Sequence, residues 1–274
     1  MNPQRSPTIV LAFAAALSWL AETHAELKTA REVRLLTAEQ ADQAKPVEVE
    51  GIVIFSDPPS TAFLQDESAG TFFRLEGKPA PKPGDRVRVR GRTFPGLYLS
   101  GIEETEFEVL GFEGLPEAIP VAFDDLMSGR FHYQRVSVEG VVRALRPDAE
   151  GASVLELALG TRVLLVEIYS PMNQATGWTD RFIRVTGLAA GRINSRRQLV
   201  TPYLRCRDWN DLEVLREASM PGTIPRLSAH ELLAFSADGS DGHRVRLEGT
   251  VLARIGRSIF LRDEEAAVEV VPAE

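Results

Sequence analysis

A glycine-broken strand signature occurs three times in this chain: Pro46-Val-Glu-Val-Glu-Gly51-Ile-Val53, Arg135-Val-Ser-Val-Glu-Gly140-Val-Val142 and Arg244-Val-Arg-Leu-Glu-Gly249-Thr-Val251. Each copy alternates apolar and polar residues, as a half-buried strand does, because successive side chains point to opposite faces. Each then breaks at a glycine and continues apolar. A glycine at that point admits a bulge or a close backbone approach, which lets one strand bend and serve two sheets. A repeat of this kind fixes an all-β architecture before any reactive residue is considered.

The segments between the signatures fill in the rest of each unit. A second hairpin starts at Ala62-Phe-Leu-Gln-Asp-Glu67 in the first unit and at Ile259-Phe-Leu-Arg-Asp-Glu264 in the third, and strands follow at 71–75 and 268–271. The second unit has the same hairpin over 154–159 and 162–168, turning at Gly160-Thr161. A fourth strand is marked by Gly84-Asp-Arg-Val-Arg-Val-Arg-Gly91 and by Asp180-Arg-Phe-Ile-Arg-Val-Thr-Gly187; a fifth is expected at 106–110 and 198–204. The arginines Arg86, Arg88 and Arg90 alternate with valines and read as the outward face of a strand. Short helices are expected from two capping boxes, Thr37-Ala-Glu-Gln40 over 37–44 and Ser228-Ala-His-Glu231 over 229–235. A third, uncapped helix is expected at Phe123-Asp-Asp-Leu-Met127.

Five short strands per unit predict tandem five-stranded Greek-key barrels of OB type. The organisation is 1–25 signal peptide, 26–114 barrel 1, 115–219 barrel 2 and 220–274 a partial barrel 3, with linkers at Gly114-Leu-Pro116 and Ser219-Met-Pro-Gly222. The third unit is expected to be incomplete, since nothing after its second hairpin matches strands four and five. An unfinished barrel exposes sheet edges, through which a chain can self-associate.

Residues 1–25 read as a secretory signal: Arg5 supplies the positive start, 8–21 are almost wholly apolar, and Thr23-His24-Ala25 offers small residues before a cut at Glu26. The apolar run is shorter than the roughly 20 residues of a spanning helix. An exported protein, periplasmic or extracellular, is expected, with an uncleaved anchor as the alternative. Contact with a membrane would come only through that anchor or through a segment beyond the third unit. The single cysteine, Cys206, cannot form an internal disulfide and is expected to be buried.

The three signatures, the F-L-Q-D-E hairpin, the P-G-D-R-V-x-V-x-G strand and Asn194-Ser-Arg-Arg-Gln-Leu199 resemble the exported OB-like repeats found before the membrane span of bacterial sensor and hybrid histidine kinases. The resemblance covers most of residues 30–271 and implies a sensory ectodomain, here without the span or the kinase. Kinase activity is therefore not expected within this chain.

No catalytic constellation emerges. His132, His230 and His243 stand apart without metal-ligand spacing, and no G-x-S-x-G elbow, P-loop or dinucleotide fingerprint occurs. Residues 187–191 read as a turn in a strand pair rather than a phosphate cradle. The acidic pairs Asp66-Glu67, Asp124-Asp125 and Asp263-Glu264 read as solvated turn residues rather than a glycosidase pair or a calcium site. No cofactor, metal or catalytic residue is expected, and the chain reads as a non-enzyme.

The distinctive polar cluster is Arg192, Arg196, Arg197, Arg205 and Arg207, around the link between strands four and five of the second unit. With Tyr203 and Trp209 it predicts a site for an anionic or sugar ligand, by forked hydrogen bonds and stacking. The alternative is a basic edge that blocks strand pairing. Formal net charge is −8, and an acidic chain argues against nucleic acid as partner, because phosphate contacts need a basic patch. The expected function is a non-catalytic exported sensory or binding module with a small-molecule, glycan or protein ligand. Two alternatives stand beside it: a binder of single-stranded nucleic acid or oligosaccharide, and an accessory domain of an exported hydrolase or nuclease.

Overall fold

In the computed structural model the described residues are 26–147, 152–171, 177–233 and 242–272. The expected signal peptide, and the expected helix beyond residue 233, lie outside them. Two helical turns, α1 (Ala30–Arg34) and α2 (Ala38–Ala41), precede the first barrel. Both carry capping boxes: the Thr29 hydroxyl accepts from Glu32 N–H at 3.2 Å, and Thr37 does the same for Gln40.

The strands β1 (Pro46–Asp57), β2 (Thr61–Gln65), β3 (Gly70–Arg74), β4 (Asp85–Phe94) and β5 (Gly101–Phe112) close into a barrel in the order β1-β2-β3-β5-β4. The alternation of β1 decides which face goes inside. Val47, Val49 and Val53 enter the core with Leu64, Phe73, Val87, Val89 and Ile102. Outside, Glu48 and Glu50 meet the β4 arginines: Arg90 Nε to Glu48 at 2.6 Å and Arg88 Nε to Glu50 at 2.7 Å. Exposed pairs of this kind add little stability but favour one register.

The second unit begins with β6 (Ile119–Pro120) and α3 (Phe123–Met127), and continues through β7 (Arg135–Pro147), β8 (Ser153–Leu159), β9 (Arg162–Ile168), β10 (Phe182–Ile193) and β11 (Leu199–Cys206). Since β7 also pairs with β10, the ring β7-β8-β9-β11-β10 closes in the same order as the first. A further strand, β12 (Leu212–Arg216), extends the sheet beside β10. Residues 187–191 lie within β10 rather than in a turn. Cys206 is fully buried in the core of this barrel, and burial holds its thiol well above the usual range.

The third unit contains α4 (Ala229–Leu233), β13 (Thr250–Ile255), β14 (Ser258–Arg262) and β15 (Ala267–Val270), the last three forming an antiparallel sheet in chain order. Its α4 corresponds to α1 rather than to the Thr37 turn, as the hairpin carboxylates show. Asp66 accepts Ala30 N–H at 2.7 Å and the turn N–H groups of Ser68 and Ala69 at 2.8 and 2.9 Å. Asp263 likewise accepts from Ala229, Glu265 and Ala266. These carboxylates clip a helix to a hairpin rather than simply facing solvent.

The signature glycine has one structural cause in all three copies. A Cβ on Gly51 would lie 2.8 Å from Gln65 O, one on Gly140 2.3 Å from Ala158 O, and one on Gly249 2.5 Å from Arg262 O. The second strand of each unit crosses its first at that point. A bulge follows at the same offset, at Val53/Phe55, Val142/Ala144 and Val251/Ala253, and bends the strand around the barrel. Gly140→Ala should therefore lower stability by about 1–3 kcal/mol, the usual cost of overpacking. Gly111→Ala, where a Cβ meets nothing within 4 Å, should change it little. Urea unfolding of the two variants checks this contrast.

Candidate ligand-binding face

The two closed barrels are docked through the outer face of β1, β2 and β3. Phe55, Phe63, Phe72 and Phe94 form an aromatic platform there, joined by Ile54 and by Leu188 of barrel 2. Tyr133 of barrel 2 lies 5.1 Å from the Phe63 ring and 5.3 Å from Phe72. A Cβ on Gly70 would come within 1.8 Å of Tyr133 O, so only glycine allows this approach. The barrel 1 cation Arg34 is buried in the same contact and donates to Gly129 O (2.9 Å) and His132 O (3.3 Å).

Arg205 completes the junction from the other side. Its Nη2 donates to Asp57 of barrel 1 at 2.8 Å, its Nε donates to the Tyr169 hydroxyl at 2.9 Å, and its guanidinium lies 4.6 Å from the centre of the Phe55 ring. A planar fork can bond in its plane and stack across it at once, which a lysine cannot do.

Among the described residues the corresponding face of barrel 2 has no aromatic cover, and only its edge is met, where Gly242 packs on Ala158 and Val141. Aligned on the signature glycines and strand pairings, Phe55, Phe63 and Phe72 become Ala144, Glu156 and Leu165. Parallel pairing of β11 with β9 sets Tyr203 beside Leu165. Arg192 lies 5.4 Å over the Tyr203 ring and donates to Glu167 at 3.1 Å, while Arg146 donates to Glu156 at 3.1 Å. Tyr169, 45% exposed, donates to Glu167 at 3.4 Å. Partial burial lifts its hydroxyl to about 12, so it keeps the proton it donates.

The seven residues predicted for the site do not act together. Arg192 and Tyr203 share the open face, and Arg196 stands exposed in the adjoining turn with no side-chain partner among the described residues. That turn is built by Asn194, whose Oδ1 accepts from Arg196 and Gln198 N–H at 3.0 Å. Arg197 reaches back to Tyr98 O of barrel 1 at 3.4 Å, and Arg205 belongs to the barrel junction. Arg207 is held by Asp211 at 3.1 Å. Trp209 packs on Trp178 against the barrel core, with its Nε1 donating to Pro171 O at 3.0 Å. The expectation of one arginine cluster in one loop is thus corrected: strand alternation and the β10–β11 turn send its members to three places.

The residues missed are Leu165, Glu167 and Tyr169. Their two-residue spacing in Leu165-Val-Glu-Ile-Tyr169 marked them as one strand face. A wide cleft of 1110 Å³ also opens beside α3, but its arginines are engaged: Arg184 with Glu139 at 2.7 Å and Arg162 over Phe123. Among the described residues no group of three or more His, Cys, Asp or Glu could hold a metal ion.

No protein-family model matches the chain, and no curated protein matches it. Solved structures do. A murine DNA-binding protein bound to double-stranded DNA aligns at 12% identity and TM-score 0.33, over 64% of this chain and 97% of that one. A replication protein A heterotrimer bound to single-stranded DNA aligns at 12% identity and TM-score 0.29, over 69% and 52%. An aspartyl tRNA synthetase from Entamoeba histolytica aligns at 13% identity and TM-score 0.30, over 38% of this chain; the chain spans 22% of that protein's length. The OB assignment itself rests on the strand order of the two rings. The expectation that set nucleic acid aside is corrected by how charge is distributed along the chain. The physical flaw in that expectation was its use of the total charge: the unit 115–219 carries as many arginines as carboxylates and no lysine.

The barrel junction also has a pH dependence. His132 is buried between Tyr98 and Tyr133, with ring centres 5.0 and 4.3 Å away. Burial, and then the nearby Arg34 charge, lower its pKa from 6.5 to about 3. The folded state therefore keeps His132 neutral, whereas the unfolded chain binds a proton below 6.5. Its contribution is fully present above 6.5 and is lost as the pH falls toward 3. The loss should amount to about 1.4 kcal/mol per pH unit across that window. His132→Phe should flatten this part of the stability–pH curve, as read by denaturant titrations at several pH values.

Proposed function

We propose that this protein is a non-catalytic OB-type binding module whose second barrel holds single-stranded nucleic acid across β8, β9 and β11. The observation that carries this reading is the contrast between the barrels. In barrel 1 the face is consumed by docking, whereas in barrel 2, among the described residues, it stays open and offers Tyr203, Tyr169, Leu165, Arg192 and Arg146. Aromatic rings supply stacking platforms for bases, and the flanking arginines supply phosphate contacts. The Arg192–Glu167 and Arg146–Glu156 pairs are exposed and weak, so phosphate oxygens can replace the carboxylates. On the reading of residues 1–25 as a secretory signal, the polymer is one met outside the cytoplasm.

A second reading, an oligosaccharide ligand, is favoured by Glu156 and Glu167 themselves. Carboxylates on an aromatic face accept hydrogen bonds from sugar hydroxyls, with ring stacking on Tyr203.

Fluorescence anisotropy with a labelled oligothymidylate separates the two. The nucleic-acid reading predicts binding that weakens steeply with salt. Tyr203→Ala should weaken it roughly 5- to 150-fold, the range of about 1–3 kcal/mol for one lost stack. Arg192→Ala should weaken it and also reduce the salt slope. Salt-insensitive binding of a neutral oligosaccharide, with no oligothymidylate binding at low salt, would replace this reading with the second.

A further inference from the structure

Strand register places a carboxylate beside the aromatic centre of the barrel 2 face. Pairing sets Glu156 of β8, Leu165 of β9 and Tyr203 of β11 in one row, and Val154, Glu167 and Arg205 in the next, two residues along. Glu156 lies between Leu155 and Leu157, both fully buried, so strand alternation turns its side chain outward onto that face. Neighbouring strands run about 4.8 Å apart, so two spacings, roughly 10 Å, separate the backbones of Glu156 and Tyr203. A planar base resting on Tyr203 and Leu165 fills that span and turns one edge toward Glu156.

The two carboxylates of the face are not equivalent. Glu167 accepts from Arg192 at 3.1 Å and from the Tyr169 hydroxyl at 3.4 Å, so it keeps a donor when Arg192 turns to a phosphate. Among the described residues Glu156 accepts only from Arg146, at 3.1 Å. The Glu156 side chain is 32% exposed and that of Arg146 55%, so the arginine is the more easily drawn away. Glu156 is then a largely covered acceptor without a donor, which is costly unless the ligand supplies one. Phosphate offers acceptors only. The base edge is the remaining source of N–H groups.

We propose that Glu156 selects the base held on Tyr203 and favours guanine. This role rests on the nucleic-acid reading of the face and goes beyond it, because stacking and phosphate contacts alone are indifferent to sequence. The Watson–Crick edge of guanine carries N1–H and the N2 amino group side by side, and one carboxylate accepts from both. Cytosine and adenine offer a single amino group next to a ring-nitrogen acceptor. Thymine and uracil offer one N–H between two carbonyl oxygens, which a carboxylate repels. The order is therefore guanine first, cytosine and adenine next, thymine and uracil last.

The test is fluorescence anisotropy at low salt with two labelled probes, an oligothymidylate and the same oligomer carrying guanine at its centre. The guanine oligomer should bind roughly 5- to 150-fold more tightly, the discrimination of one bidentate base contact. Glu156→Gln should abolish that preference and tighten oligothymidylate binding about twofold or more, because an amide donates to thymine O4 while accepting from its N3–H. A Glu156 that only supports the strand would not split the probes, since its variant would shift both affinities alike. Equal affinity of the unaltered chain for the two oligomers, or a guanine preference that survives Glu156→Gln, overturns the role of Glu156 alone. Binding of neither oligomer overturns the nucleic-acid reading and this role with it.

Discussion

The docking of barrel 2 on the aromatic face of barrel 1 is the constraint from which the functional layout follows. An exposed platform of Phe55, Phe63, Phe72 and Phe94 would be a large apolar patch in water. Covering it with Tyr133, Leu188 and Arg205 removes that liability and takes the barrel 1 face out of use. The cation is what makes the cover specific. Arg205 lies between rings of both barrels and is held by Asp57, so burial of its charge is compensated by an ion pair, a hydrogen bond and stacking. A polar chain then runs from the open face to the junction: Tyr203, Arg192, Glu167, Tyr169, Arg205, Asp57. A ligand that displaces Glu167 from Arg192 acts on a residue only three contacts from Asp57 of barrel 1.

One device recurs at every level of the repeat. The signature glycine lets the second strand cross the first, the bulge turns the corner, and the aspartate of the hairpin clips a helical turn to the strand ends. Among the described residues the third unit keeps all three features in a three-stranded sheet that is not closed. The local geometry of the repeat therefore does not depend on closure, because the crossing, bulge and clip are contacts within the first hairpin and its helix.

The barrels were legible in the sequence because period-two alternation and glycine breaks are local signals. Nearly every expected strand appears, though β5 begins at Gly101, earlier than its apolar pattern suggested. The helix alignment failed for a physical reason: Thr29 and Thr37 both open capping boxes, and only the long-range bond from Ala30 to Asp66 shows which one matches Ser228. The site was half legible. Sequence proximity grouped Arg192 with Arg205 and Arg207, but a strand pair places near neighbours on opposite faces and at opposite ends. Net charge misled similarly, since carboxylates concentrated in the first and third units hide the neutral, arginine-rich second one.

The central claim is that barrel 1 is closed to ligand by docking while the β8–β9–β11 face of barrel 2 receives it. Hydrogen–deuterium exchange of the full chain with and without oligothymidylate tests this most directly. The account predicts new protection over 162–168 and 199–206, and none over 61–74. Protection over 61–74 with no change on barrel 2 would contradict it.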